Sequence, residues 1–391
     1  MKLKENKPLL RFPEFDSEWF EKSFSDLFTF KNGVNATKEQ YGSGYKFINV
    51  LDIIRNDFIT HDKIIGEVSI SEDEFQNNIV EYGDILFQRS SETREEVGQS
   101  NVYLDSQKPA TFGGFVIRGK KKDDYHPEFI NYLLKTSSVR KDITSKSGGS
   151  TRYNIGQETL STIVIHSTQI EEQIKIASFL TAIENHLNIL EKKKKALEKY
   201  KKGVMKKIFD REIRFKDENG NEFPEWEEKS LFDICTKKSS NISANSLSVT
   251  SGDYKIYGAN GFLQYVDFYE ENDAYISIVK DGAGVGRILL CEAKSSVLGT
   301  LEILKIKENT NLPFLYYLIS NINFSKYVTG STIPHIYFKD YSTEKINIPS
   351  LPEQEKIGAF LLFLDNDLAQ IQNQIEKMIF WKKGLLQNMF V

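Results

Sequence analysis

Apolar residues fall along this chain in two rhythms. In one stretch Ile176, Leu180, Ile183, Leu187, Leu190 and Leu197, continuing to Val204 and Ile208, follow the four-and-three steps of a heptad, interrupted only by Lys194 and Lys201. In a second stretch Ile357, Leu361, Leu364, Leu368, Ile371, Ile375, Met378, Leu385 and Met389 keep the same register, and Lys382 stands where Lys201 stands in the first. Heptad spacing gathers apolar side chains into one narrow stripe, the kind another helix covers. At 1.5 Å per residue each stripe is about 50 Å long, more than one small domain shelters. The pattern predicts two long helices packed on each other, antiparallel because a whole domain separates them in sequence. The competing arrangement, each helix lying only on its own domain, fits so narrow and sustained a stripe poorly.

Elsewhere the rhythm shortens. Residues 18–160 and 225–341 lack long helical periodicity and carry β-rich runs at 45–50, 84–87, 114–118, 274–279, 287–291 and 301–306. One amphipathic helix is expected in each region, at 127–136 and 313–321. The fold class implied is α+β: two mixed α/β domains joined by two long antiparallel coiled-coil helices, with approximate two-fold symmetry. The expected segments are a first domain over 1–160, a first helix segment over 161–212, a second domain over 213–341 and a second helix segment over 342–391.

The symmetry rests on repetition. Residues 149–209 match 330–390 at a constant offset of 181 without a gap, including Gly149-Ser150-Thr151 against Gly330-Ser331-Thr332 and Glu172-Gln173 against Glu353-Gln354. Glu18-Trp19 through Ser23 and Asp26 recurs as Glu225-Trp226 through Ser230 and Asp233 at an offset of 207, so the first unit is longer by 26 residues within its variable region. Leu10-Arg11-Phe12-Pro13 is echoed by Ile213-Arg214-Phe215 and Phe223-Pro224, so the start of the chain resembles the linker after the first shared segment. Such an order reads as a circle, and it suits a pseudo-symmetric fold.

Charge changes the picture locally. The net charge of −4 speaks against a free-standing basic nucleic-acid binder, yet residues 192–216 hold twelve Lys or Arg against Glu198, Asp210 and Glu212. A solvated helix face and a surface facing phosphates or a partner both remain open for that run. The two cysteines, Cys235 and Cys291, form neither a disulfide framework nor a zinc motif. The longest apolar run, 357–364, is too short for a bilayer span and residues 1–12 lack a signal-peptide core, so a cytoplasmic protein is expected.

Three loops carry groups fit for DNA. Gln88, Arg89, Ser90, Ser91, Thr93 and Arg94 combine the side chains that contact adenine edges, guanine edges and phosphates. Lys280, Asp281, Gly282, Gly284 and Arg287 form a glycine-rich counterpart, where a small backbone approaches a phosphate between two cations. The third is repeated: Ser150, Thr151, Arg152 and Tyr153 in one copy, Ser331, Thr332 and His335 in the other, expected just ahead of each long helix. Lys31 and Asn32 complete the candidates. For any one of these residues an ordinary exposed turn is an equal reading.

Catalytic signatures are missing. Residues 282–286 mimic a dinucleotide-binding glycine turn, but 287–291 read as a strand where such a site needs a helix, so a hairpin is expected. There is no phosphate loop, no His-Glu-x-x-His and no Asn-Pro-Pro-aromatic motif, and the five histidines have no ligand-like spacing. No metal site and no cofactor are assigned to this chain.

The duplicated Gly-Ser-Thr, the helix start Leu351-Pro352-Glu353-Gln354-Glu355-Lys356-Ile357 and the two heptad helices after divergent domains resemble the specificity subunits of type I restriction-modification enzymes across nearly the whole chain. The first copy departs from the pattern, with Gln169-Ile170-Glu171-Glu172-Gln173 lacking the proline. The resemblance implies a non-catalytic, sequence-specific DNA-binding subunit whose two target-recognition domains read the halves of a bipartite site, with the helices as spacer. It also implies two modification subunits that use S-adenosylmethionine and restriction subunits that use ATP and Mg²⁺. The alternatives are a DNA methyltransferase or nuclease with its own active site, and an adaptor whose outer domains bind protein.

Overall fold

The structure is a computed structural model that describes residues 6–247 and 252–391; residues 1–5 and 248–251, expected within the two variable domains, lie outside the described residues. The chain divides into two compact units. One runs up to Leu190 and takes in Gln374–Val391, and the other is Glu191–Asn373.

The first unit starts with β1 (Phe20–Ser23), α1 (Phe24–Leu27) and β2 (Phe28–Asn32). Ser23 N donates to the Asp26 carboxylate at 2.8 Å and Asp26 N donates back to Ser23 Oγ at 3.2 Å, a capping box that explains the repeated Ser-x-x-Asp. There follow β3 (Tyr41–Ile48), α2 (Val50–Arg55), β4 (Glu67–Val68), α3 (Glu72–Asn77), β5 (Ile85–Gln88), β6 (Ser90–Ser91), β7 (Ser100–Val102), β8 (Thr111–Phe112) and β9 (Val116–Lys121). Strands β2-β9-β5-β7 form an antiparallel sheet, and β4-β3-β8 form a second in which β3 and β8 are parallel. Helices α4 (Pro127–Leu134) and α5 (Ser137–Lys146), strand β10 (Tyr153–Asn154), α6 (Gln157–Ser161) and β11 (Val164–Ser167), which pairs with β1, lead into α7 (Ile170–Phe209).

The second unit repeats the plan with β12 (Glu227–Ser230), α8 (Leu231–Ile234), β13 (Cys235–Ser239), β14 (Tyr254–Gly258), β15 (Gly261–Val266), β16 (Tyr275–Val279), β17 (Ile288–Cys291), β18 (Ser295–Val297) and β19 (Leu301–Ile306). Its sheets, β13-β19-β16-β17 and β15-β14-β18, match those of the first unit strand for strand, down to the parallel pair β14 and β18. Then come α9 (Leu312–Ser320), α10 (Phe338–Tyr341), β20 (Lys345–Ile348), paired with β12, and α11 (Leu351–Asn388). Much of the first unit's extra length sits between β3 and β4, where residues 49–66 hold α2; the equivalent β14 and β15 are joined by Ala259-Asn260 alone.

Three expectations need correction. The strand expected at 45–50 ends at Ile48, because Asn49 N donates to Asp52 at 2.7 Å and starts α2 instead. The strand expected at 114–118 begins at Val116, since Gly113 and Gly114 form the turn before it. The first variable region has α5 besides α4; only Val139 and Ile143 of α5 are buried, a stripe too thin to read as periodicity.

Both long helices contribute to both units. In the first unit Glu184 of α7 pairs with Lys382 of α11, and Phe179 meets Trp381 edge-on at 6.1 Å. In the second, Lys201 of α7 pairs with Asp365 of α11. In each, the N-terminal part of one helix lies against the C-terminal part of the other, so the packing is antiparallel. Lys201 and its repeat counterpart Lys382 thus carry the cross-helix ion pairs, while Lys194 pairs with Glu198 of its own helix at 3.4 Å. Ile176, Leu180, Ile183, Leu187 and Leu190 are buried in the first unit and Ile357, Leu361, Leu364 and Ile371 in the second, while Leu197, Leu368 and Met378 are half-buried.

Each helix start is clamped alike. Arg11 donates twice to Glu172, both bonds 2.7 Å, and Arg214 donates to Glu353 at 3.2 and 2.9 Å. Gln173 accepts from His126 N and Gln354 from Asn311 N, each at 2.9 Å, which ties α4 and α9 to the long helices. Leu10 N donates to Asn388 O at 2.8 Å, as Ile213 N donates to Lys207 O at 3.2 Å, so the circular order has a physical counterpart. Among the described residues no helix is long and apolar enough to cross a membrane.

Candidate nucleic-acid interface

Main-chain pairing merges the separate candidate loops. In the first unit β6 and β10 pair, Ser91 with Tyr153 and Ser90 with Asn154, and Ile155 N donates to Arg89 O at 3.0 Å. In the second unit Asp281 bridges His335, and Ile336 N donates to Lys280 O at 2.9 Å. The repeated glycine makes this possible. Gly149 (φ +119°) and Gly330 (φ +86°) turn the chain so tightly that an added Cβ would lie 2.0 Å from Arg152 O or 2.4 Å from Ile333 O. The repeated loops are not directly ahead of the long helices as expected: α6 and β11 intervene after 149–154, α10 and β20 after 330–335.

Within the first unit the candidates divide into reaching and bracing groups. Ser150, Thr151 and Arg152 are exposed, and Tyr153 is half-buried. Gln88 is buried and its Nε2 donates to Ser90 O at 2.9 Å. Arg89, exposed, reaches Gly114 O at 3.3 Å. Ser90 Oγ donates to Asn154, Ser91 Oγ donates to Glu96 at 2.8 Å, and Thr93 N donates to Ser91 Oγ at 3.3 Å. Arg94 closes the end of α5 by donating to Thr144 O at 3.0 Å and Ser145 O at 3.1 Å, which satisfies carbonyls that a helix end leaves open. Lys31 and Asn32 lie on β2, with Lys31 donating to Asn77 O at 2.6 Å.

In the second unit residues 280–287 link antiparallel strands β16 and β17, so the glycine run is a hairpin. Gly282 (φ +84°) and Gly284 (φ +93°) take the left-handed turns it needs. Arg287 braces it by donating to Ala259 O and Asn260 Oδ1, both at 2.6 Å. Lys280 and Asp281 are half-buried, Ser331 and Thr332 are exposed, and His335 packs edge-on to Tyr337 at 4.9 Å. Lys192, Lys193, Lys195, Lys199 and Lys202 point to solvent on α7.

Sequence reasoning missed the apolar part of the surface. Next to β6 a cleft of about 550 Å³ is lined by Leu51, Gln88, Glu92, Phe115 and Arg152 among others. Phe115 is 65% and Leu51 55% exposed. Gly113-Gly114 before Phe115 was the one available signal, because paired glycines mark a tight turn that presents the next side chain to solvent. Burial pushes both thiols, Cys235 and Cys291, up to about 12. Among the described residues no three His, Cys, Asp or Glu converge to hold a metal.

The family model for the type I restriction modification DNA specificity domain matches residues 16–199 and 224–379. The chain is similar to two proteins of Methanocaldococcus jannaschii. One, described as the putative type I restriction enzyme MjaX specificity subunit, is 26% identical, with 97% of this chain and 94% of that protein covered. The other, the MjaIX specificity subunit, is 24% identical, with 92% and 89% covered. In fold it resembles the crystal structure of a type I restriction-modification S subunit from M. genitalium, with TM-score 0.68 and 19% identity over 98% of this chain and 99% of that one. A chain solved in work on assembly and conformational transition of the type I R-M system gives TM-score 0.55 and 12% identity over 95% and 97%.

Proposed function

The chain belongs to the type I restriction modification DNA specificity family, and on that premise we propose that each of its units reads one half of a two-part DNA sequence. It is the recognition component of a restriction-modification system and acts with methyltransferase and restriction subunits on DNA; catalysis is theirs. One observation carries the two-part reading. The same main-chain pairing joins the same two loops in both units, yet it displays Arg89, Ser90 and Arg152 in one and Lys280, Asp281 and His335 in the other. An identical frame with different hydrogen-bonding groups suits two readers of different base edges.

The finer assembly is two modification subunits, one serving each unit, with S-adenosylmethionine, ATP and Mg²⁺ bound by the partners. Phosphate contacts from those subunits offset the net charge of −4. The test is methylome sequencing of a host with and without this chain. A split motif methylated only in its presence is the expected result; unchanged methylation, or one uninterrupted motif, overturns the proposal.

A further inference from the structure

We propose that the cleft beside β6 reads a base bearing an exocyclic amino group in the major groove, an adenine or a cytosine. The inference rests on the DNA-reading role above and assigns the chemistry of one of its contacts.

Gln88 carries the argument. It is 4% exposed and lines the cleft, its Nε2 is held by Ser90 O at 2.9 Å, and its Oε1 meets no donor. A buried amide oxygen left without a donor costs free energy, so the site is set for a donor that arrives with a ligand. Arg152 brings a single cation to the lining, outnumbered by carboxylates. Glu92 and Glu96 bring two carboxylates, and the serine at 91 already donates to Glu96 at 2.8 Å. With two carboxylates against one guanidinium, an amino group finds acceptors inside the cleft, whereas a phosphate is left to the exposed Arg152. Guanine presents only O6 and N7 in the major groove, and thymine O4 and a methyl group; adenine N6 and cytosine N4 donate. The exposed faces of Leu51 and Phe115 flank the cleft and would shed water around such a bond, which strengthens it.

The second unit lacks this device. Gln88 N donates to Gln99 O and Gln88 O accepts from Gly98 N; at the same strand position Val279 N donates to Arg287 O and Val279 O accepts from Gly286 N. Valine offers no side-chain acceptor, so the effect belongs to one half-site only.

The test uses the full chain assembled with its modification subunits and duplexes carrying the site defined by methylation. Each adenine is replaced in turn by purine, which lacks the N6 amine, and each cytosine by 2-pyrimidinone, which lacks the N4 amine. One position is expected to lose roughly tenfold in affinity, the range for losing a specific base contact. Its identity distinguishes adenine from cytosine. In Gln88→Leu that penalty disappears, because the acceptor is gone, and in Glu92→Ala, at an exposed position that tolerates change, it shrinks. If no amine deletion matters, or both variants keep the full penalty, the inference is overturned. Should Gln88→Leu not fold, Glu92→Ala and the wild-type scan decide. Loss of all discrimination between the site and scrambled duplexes would instead overturn the underlying function.

Discussion

Arg11 and Glu172 lie 161 residues apart and meet in a two-point ion pair with both bonds at 2.7 Å. Glu172 is buried, so its charge is tolerable only because Arg11 and Thr168 Oγ1 satisfy it. Arg214 and Glu353 repeat the contact, with Trp226 Nε1 adding a bond at 3.2 Å. The segment before the first variable domain therefore does the work of the linker before the second.

Removing one partner leaves a buried charge. Arg11→Ala is expected to destabilise the first unit by about 3 kcal/mol. Hydrogen exchange checks this: protection in β1 and the first turns of α7 should fall while that of β12 and the start of α11 stays unchanged.

Arg94 and Arg152 should fail differently. Arg94 holds the carbonyls of Thr144 and Ser145, so Arg94→Ala should weaken binding about fivefold through a loosened loop, close to the 1 kcal/mol typical of a lost hydrogen bond. The slope of log affinity against log salt should stay as it was. Arg152 is exposed, and Arg152→Ala should lower that slope by about 1 if it neutralises a phosphate. Salt titrations of both variants separate the two roles.

Spacing between half-sites should follow the helices, since α7 and α11 each enter both units. Deleting the repeat-matched segments 192–195 and 373–376 together removes about 6 Å of helix, roughly two base pairs of DNA. Methylation mapping should find the halves closer together; unchanged spacing would count against a ruler.

Acid should weaken the second unit through Glu271. Burial raises its carboxyl pKa, but Lys238 and Lys305, the latter at 2.7 Å, outweigh burial and hold it below the ordinary value. A carboxylate with a folded pKa below its unfolded one adds stability above the unfolded value of about 4.5, and that stability is lost as pH falls through the folded value. Denaturation midpoints between pH 5 and 3 should drop more steeply for the wild type than for Glu271→Gln.

By itself the sequence determined the two long helices, their antiparallel partnership, the duplicated frame and the hairpin at 282–286, because heptad register, repeats and turn glycines are written locally. It also carried the family resemblance. Which side chains reach outward was settled only by the tertiary structure. Arg94 looked free and is spent on the end of α5, Gln88 looked exposed and is buried, and Phe115, which the pattern placed in a strand, stands at the surface ahead of β9. Those outcomes depend on contacts between residues far apart in the chain, and no local pattern records which distant carbonyl or ring will be there to meet a side chain.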